Sequence, residues 1–559
     1  MNRRELLRTL PALAMVRMPR AGRVSFFGMA EADGMRVTGR AVARPTAQQM
    51  VWQDLEAGMF VHIAPNTWQD KEYDHLTTPP SSINPRELNT DQWADTALSM
   101  GARYVVFVAK HAGGFCMWQT KTTDYGIAQT PWKEGKGDVV AEISASCRKK
   151  GLKFGIYASP RDDHFGAGIG GICKTPEQQA RYDAMYREQL TELFTRYGEL
   201  VEIWFDGSTV TPVTDLIRRY QPNAMIFQGQ AATIRWVGNE DGYAPYPCWN
   251  GIDASLAKLG TATALDSDPE GSVWMPSEVD ISIRRPNWFW STTNAKRVLD
   301  VDQLLSVYYR SVGRGAQLLL NIPPNREGLM DEKDRASAAA LGAEVRRRFG
   351  TPLAKTSGSG AVVTLELGRA ERVDTVILQE DTALGERVRA FEVEGRSGGT
   401  WTSLGKGTAI GHKRIQPVQA QVVDAVRVRV SEAAATPKIR TLAVFNTGKE
   451  PPADWNAEAQ MWAPNLAGNW QGGRFSLELG KMVTAAAQYT LRFVASSGKV
   501  EGFDDLQLTI GGVASPGFLQ VSKTRKDELL LDFTALNASI VVSGVVRGAE
   551  RGQVTLNRR

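Results

Sequence analysis

Three short apolar runs decide the fold: Tyr104-Val105-Val106-Phe107-Val108-Ala109, Phe154-Gly155-Ile156-Tyr157-Ala158 and Val201-Glu202-Ile203-Trp204-Phe205, starting 50 and 47 residues apart. Each follows a stretch with helical periodicity, Asp91 to Met100, Val139 to Lys150 and Pro176 to Tyr197. These stretches stop at Gly101, Gly151 and Gly198, the residue type that accepts the left-handed conformation at a helix C-terminus. Runs that are apolar on both faces belong to a parallel sheet covered by helices. Phe60 to Ile63 upstream, with Met225 to Phe227 and Leu318 to Ile322 downstream, extend the alternation from about residue 58 to 350, enough chain to close a (β/α)₈ barrel. Only six strands are legible, because the stretch from 240 to 300 reads as loop.

Beyond Gly350 the period changes to two, as in Val362-Val363-Thr364-Leu365-Glu366-Leu367 and Val426-Arg427-Val428-Arg429-Val430, and a second such region follows Pro451-Pro452. These are antiparallel strands. The sequence therefore predicts a multidomain α/β plus all-β chain: a catalytic TIM-like barrel over 46–350, a β-sandwich over 351–450 and a C-terminal β-sandwich over 451–559. Residues 1–45 form a leader or disordered N-terminus. Within it, Arg3-Arg4 followed by the apolar Leu10 to Val16 reads as a twin-arginine export signal, with a basic tail as the alternative. A periplasmic or secreted location is expected, with the cytoplasm as the alternative.

Composition narrows the function. The 559 residues are 42% apolar and 23% charged, and no apolar run is long enough to span a membrane. The 66 Lys and Arg against 61 Asp and Glu leave a net charge of +5, scattered along the chain, which excludes the basic stripe of a nucleic-acid binder. Four cysteines (116, 147, 173, 248) and five histidines have no metal-ligand spacing, so neither a metal nor another cofactor is expected. Eleven of the 15 tryptophans lie between 52 and 290. Some must be core, and others suit a sugar site, where indole faces pack on pyranose C–H faces.

Catalytic groups of a parallel barrel sit at strand C-termini. His62, Lys110, His111, Tyr157, Ser159 and Asp206 occupy such positions, and Asp206 closes the run Ile203-Trp204-Phe205 where packing alone does not call for an acid.

These residues stand within longer stretches that resemble glycoside hydrolase family 29, the α-L-fucosidases, in particular the branch cleaving α-1,3 and α-1,4 linkages. The resemblance is carried by Gly58-Met59-Phe60-Val61-His62, Ala109-Lys110-His111 with Gly114-Phe115-Cys116-Met117-Trp118, Trp204-Phe205-Asp206-Gly207, Arg235-Trp236-Val237-Gly238-Asn239-Glu240, Trp274-Met275-Pro276-Ser277-Glu278, Asp280-Ile281-Ser282-Ile283-Arg284 and Trp288-Phe289-Trp290. It implies a retaining exo-α-L-fucosidase acting on fucosylated glycans, with two carboxyls about 5–5.5 Å apart. Asp206 matches the nucleophile. Glu240 matches the general acid/base, with Glu278 held in reserve or reading a sugar hydroxyl beside Arg284 or Arg285. His62, Glu72, His111, Tyr157 and Arg235 would read hydroxyls, and Trp68, Trp118, Trp236 and Trp290 would pack on the sugar. The family usually shows His and Asp after its first histidine, where this chain has Ala112 and Gly113. That departure suggests a shifted glycone such as α-L-galactose, and a non-catalytic carbohydrate binder is the remaining alternative. The first sandwich resembles a discoidin-like module, with oligomeric state left open.

Overall fold

In the computed structural model the structure describes residues 35–258, 260–458, 465–479, 487–495, 499–522, 526–533 and 539–558. Eight parallel strands run β1 (Ala57–Val61), β2 (Tyr104–Lys110), β3 (Lys153–Ala158), β4 (Glu202–Trp204), β5 (Met225–Phe227), β6 (Arg235–Trp236), β7 (Ser277–Ser282) and β8 (Gln317–Asn321). Their order is β5-β4-β3-β2-β1-β8-β7-β6, and a parallel bridge from Phe227 to Ile234 brings the two ends together. The barrel expected from the sequence is present, with the two remaining strands supplied by the two-residue β6 and by β7, which lies within the stretch that reads as loop.

Helices over Thr90–Met100, Val139–Lys150 and Pro176–Arg196 cover the barrel. Each begins at a capping side chain: Asn89, Asp138 and Thr175 accept from the backbone N–H three residues on. Gly101 (φ 92°) and Gly151 (φ 73°) are left-handed C-caps, as the sequence predicts; the third helix ends one residue earlier, at Tyr197, with Gly198 (φ 91°) just beyond.

Two apolar clusters result. Outward-facing side chains such as Val105, Phe107, Ile203, Val279 and Ile281 pack under the helices, whereas Trp52, Phe60, Tyr104, Val106, Tyr157, Trp204 and Leu319 fill the barrel itself. Gly58 is needed for that filling, because a Cβ there would collide with the Tyr104 ring.

The middle module is a seven-stranded sheet built on two long antiparallel strands, Val362–Glu380 and Arg414–Ala433, whose pairing shifts register between Glu366 and Glu371 and between Val373 and Thr375. The last is a nine-stranded antiparallel sheet with its own core around Trp470, Phe475, Phe493 and Phe503. The N-terminal boundary at residue 45 needs correction. Arg36–Val37 forms a strand parallel to Glu432–Ala433, and Met35 is buried in the middle module's core, so residues 35–45 belong with the folded body. The export motif lies outside the described residues.

Candidate active site

His62 follows the last residue of β1, His111 follows β2, Tyr157 ends the apolar part of β3, and Asp206 stands two residues past β4. All four therefore gather at the C-terminal mouth of the barrel. The turn carrying Asp206 is pinned by Gln228, whose Oε1 accepts from Gly207 N (2.8 Å) and Ser208 N (3.1 Å). Asp206 is exposed, while the Tyr157 hydroxyl beneath it donates to its Oδ2 at 3.0 Å. Burial, then the Asp206 charge, holds the Tyr157 phenol well above its ordinary range, so it remains a donor.

Two imidazoles line the same mouth. The Tyr157 ring stacks on His111 with centroids 5.8 Å apart, and Trp288 and Phe289 close on His62 at 5.2 and 5.3 Å. Asn321 fixes the His62 tautomer. Its Nδ2 donates to Ser282 Oγ (2.9 Å) and the Trp288 carbonyl (2.8 Å), which leaves Oδ1 to accept from His62 Nδ1–H at 2.8 Å and Nε2 as the imidazole's acceptor. Burial lowers both histidines, His62 further through His111 and His111 to about 3 with help from Arg161, so both rings are neutral. His111 Nδ1 is buried without a hydrogen-bond partner, a group ready to bond a ligand hydroxyl.

Glu240 follows β6 and lies 3.7 Å from the Arg285 guanidinium, which also holds Asp241 at 3.0 Å. Glu72 reaches in from the loop after β1, accepting from Trp288 N (2.9 Å) and Asn287 Nδ2 (3.3 Å); burial, with Glu240 nearby, raises its carboxyl to about 7. Trp236 is half-buried and its Nε1–H donates to Asp280 Oδ1 at 2.6 Å. Asp280 feels both Glu240 and Asp206 electrostatically, which places the three carboxyls in one neighbourhood.

Other expected site residues lie elsewhere. Glu278, on β7 one inward-facing step below Asp280, is fully buried at the barrel floor. Its carboxylate accepts from the Tyr104 hydroxyl (2.8 Å) and Trp204 Nε1 (3.1 Å) beside Glu202, so it reaches neither substrate nor Arg284 or Arg285. Arg284 instead pairs with Asp331 and Asp334. The Arg235 guanidinium is buried against the Thr263 and Trp249 carbonyls, Ser267 and Ser277, holding a loop and not a sugar. Trp118 is sealed in the core under the helices with Nε1 on Glu192, and Trp290 is engaged by Asp331 at its Nε1 and by Arg326 over its ring. Trp68, on the short helix Pro65–Gln69 that follows β1, is half-buried. Asp280, Asn321 and the rings of Trp288 and Phe289 were not picked out as site residues; β7 and its following loop concealed all but Asn321, which ends the legible strand β8.

The Ala112 and Gly113 departure also acquires a structural context. A Cβ on Gly113 would strike the Asp74 carboxylate, which accepts from Tyr125 OH (2.7 Å), Gln69 Nε2 (2.7 Å) and Leu76 N (2.8 Å). A carboxylate from another loop thus stands where a side chain at 113 would go.

A mouth with paired acids, neutral hydrogen-bonding rings and indoles at the C-terminal end of a parallel barrel suits cleavage of a glycosidic bond. Residues 45–347 match the family model described as Alpha-L-fucosidase. Alpha-L-fucosidase 1 of Arabidopsis thaliana is 32% identical over 420 residues, spanning 66% of this chain and 81% of that protein. Among solved structures, a glycoside hydrolase 29 family member from an unknown rumen bacterium superposes with a TM-score of 0.67 at 27% identity, covering 93% of this chain and 100% of that one. A Ruminococcus gnavus GH29 fucosidase in complex with fucose gives 0.64 at 26% identity, covering 75% and 97%. The chain belongs to the α-L-fucosidase family and is a glycoside hydrolase.

Proposed function

We propose that the protein is a retaining exo-α-L-fucosidase that removes terminal α-1,3- or α-1,4-linked fucose from exported glycans, acting in the periplasm or outside the cell. One Asp206 oxygen attacks the anomeric carbon while Glu240 gives its proton to the departing glycosidic oxygen. Glu240, now a carboxylate, takes a proton from water, and that water's oxygen displaces Asp206 from the anomeric carbon with overall retention. The observation that carries this reading is the exposed Asp206 held by the Tyr157 hydroxyl, in the electrostatic neighbourhood of Glu240. The His111 Nδ1 and His62 Nε2 positions supply polar contacts for ring hydroxyls, and Trp236 an indole face.

Incubation with branched α-1,3/4-fucosylated trisaccharides, a 2-fucosyl disaccharide and matched aryl L-fucoside and L-galactoside tests it. Release of fucose from the branched substrates with initial α-fucose by NMR is expected. Release of β-fucose would overturn retention, and preference for the 2-linked disaccharide would overturn the linkage assignment.

A further inference from the structure

Asp280 lies inside the barrel, 5% exposed, with Trp236 Nε1 on its Oδ1. Several acids lie around it. Glu278 sits one inward step below on the same strand, backed by Glu202 on β4; Asp206 faces it from the turn after β4 and Glu240 from beyond β6. The cation nearest these acids, Arg285, is already shared by Glu240 and Asp241, and Glu72 adds a further carboxyl beside Glu240. An ionised carboxyl in that position would have to leave water and face other acids with the Trp236 indole N–H and its own backbone N–H as donors.

We propose that Asp280 is a positioning residue acting as an uncharged acid: Oδ1 seats the Trp236 indole, and the retained proton keeps a second negative charge away from the Asp206–Glu240 pair. The inference rests on the fucosidase reading for its kinetic consequences, but not for its charge state. Burial first, then Glu240 and Asp206, hold the Asp280 carboxyl well above the ordinary aspartate range, consistent with a retained proton. A protonated aspartic acid kept neutral by an apolar site is a known catalytic device. Here the neutral acid serves a tryptophan.

Asp280→Asn and Asp280→Ala separate the roles. Asparagine keeps the shape, the acceptor for Trp236 and the absence of charge, so kcat/KM should stay within about threefold of wild type and both limbs of its pH profile should stay in place. Alanine removes the seat, so KM should rise about tenfold with a smaller change in kcat, as expected for lost substrate positioning. Infrared difference spectra at pH 7 between wild type and Asp280→Asn should show loss of one protonated-carboxyl C=O band. A displaced basic limb or a loss above tenfold in Asp280→Asn would overturn the proposal, as would an unchanged KM in Asp280→Ala or no lost band. The infrared result stands even for a protein inactive on every fucoside, an outcome that would sink the fucosidase reading alone.

Discussion

The barrel holds two groups of acids drawn from the same strands. β4 begins with Glu202 at the floor, and its following turn carries Asp206 at the mouth; β7 carries Glu278 at the floor and Asp280 one step higher. The floor pair is enclosed by Trp52, Trp204 and Tyr104, whose N–H and O–H groups all point at it. Burial raises both floor carboxyls, and their proximity makes one shared proton the favourable state. The mouth group opens to solvent at Asp206 and is flanked by neutral histidines. Height along the barrel axis, and not residue type, separates a structural acid from a chemical one.

The sharpest break between the levels should come from Asp206. Replacing it with Gly should lower kcat by ~10⁴-fold or more, with azide restoring turnover and giving a product of inverted configuration. Wild-type rates in this variant would refute the nucleophile. Glu240→Ala should cost ~10²–10⁴-fold on natural linkages and far less on activated aryl fucosides, measured as a dependence of kcat/KM on leaving-group pKa.

The floor should answer in stability instead. Glu278→Ala leaves the Tyr104 hydroxyl without its acceptor and Trp204 Nε1 with Glu202 alone, and urea unfolding should show a loss of about 2–4 kcal/mol while kcat/KM of the folded enzyme stays within about threefold. A Glu240-like leaving-group dependence in Glu278→Ala would erase the distinction. Smaller again is Gly113→Asp, which meets Asp74 and should destabilise by about 1–3 kcal/mol, with Asp74→Ala in the same chain recovering most of the loss. Full tolerance of the single change would show that Asp74 does not fill that space.

The mildest effect concerns Glu386, which joins the middle module to the barrel through Asn250 N (2.9 Å) and Nδ2 (2.7 Å). Burial raises it to about 7, so its contribution is complete below pH ~4.5 and is lost as pH rises through 7. His111 and His412, lowered to about 3 and 4, act oppositely, losing stability as pH falls below ~6.5. Glu386→Gln should therefore flatten the fall of Tm between pH 5 and 8 without altering its acid side.

How legible these features were depended on what each strand faces. The apolar strands β2 and β3 announced themselves because both of their faces are buried, one in the barrel and one under helices. β7 was missed because Glu278, Asp280 and Ser282 all point inward, so its sequence looks like a polar loop broken by Val279 and Ile281. β6 is only two residues long. Asp206 stood out as an acid ending an apolar run; Asp280 had no such contrast. The same absence of contrast kept Glu278 in reserve behind Glu240, since resemblance of motif carries no information about depth in a barrel. Arg235 and Trp118 were misplaced because a motif can persist for packing as readily as for chemistry.

The short strand at Arg36–Val37 makes a demand on the order of events during synthesis. It leaves the ribosome well before its partner Glu432–Ala433, which emerges near the end of the middle module. At about 5–20 residues per second that interval is roughly 20–80 s, ample for the intervening barrel to form. That segment must wait with its Met35 side chain uncovered, and closing it is the step that stitches an earlier part of the nascent chain to a much later one.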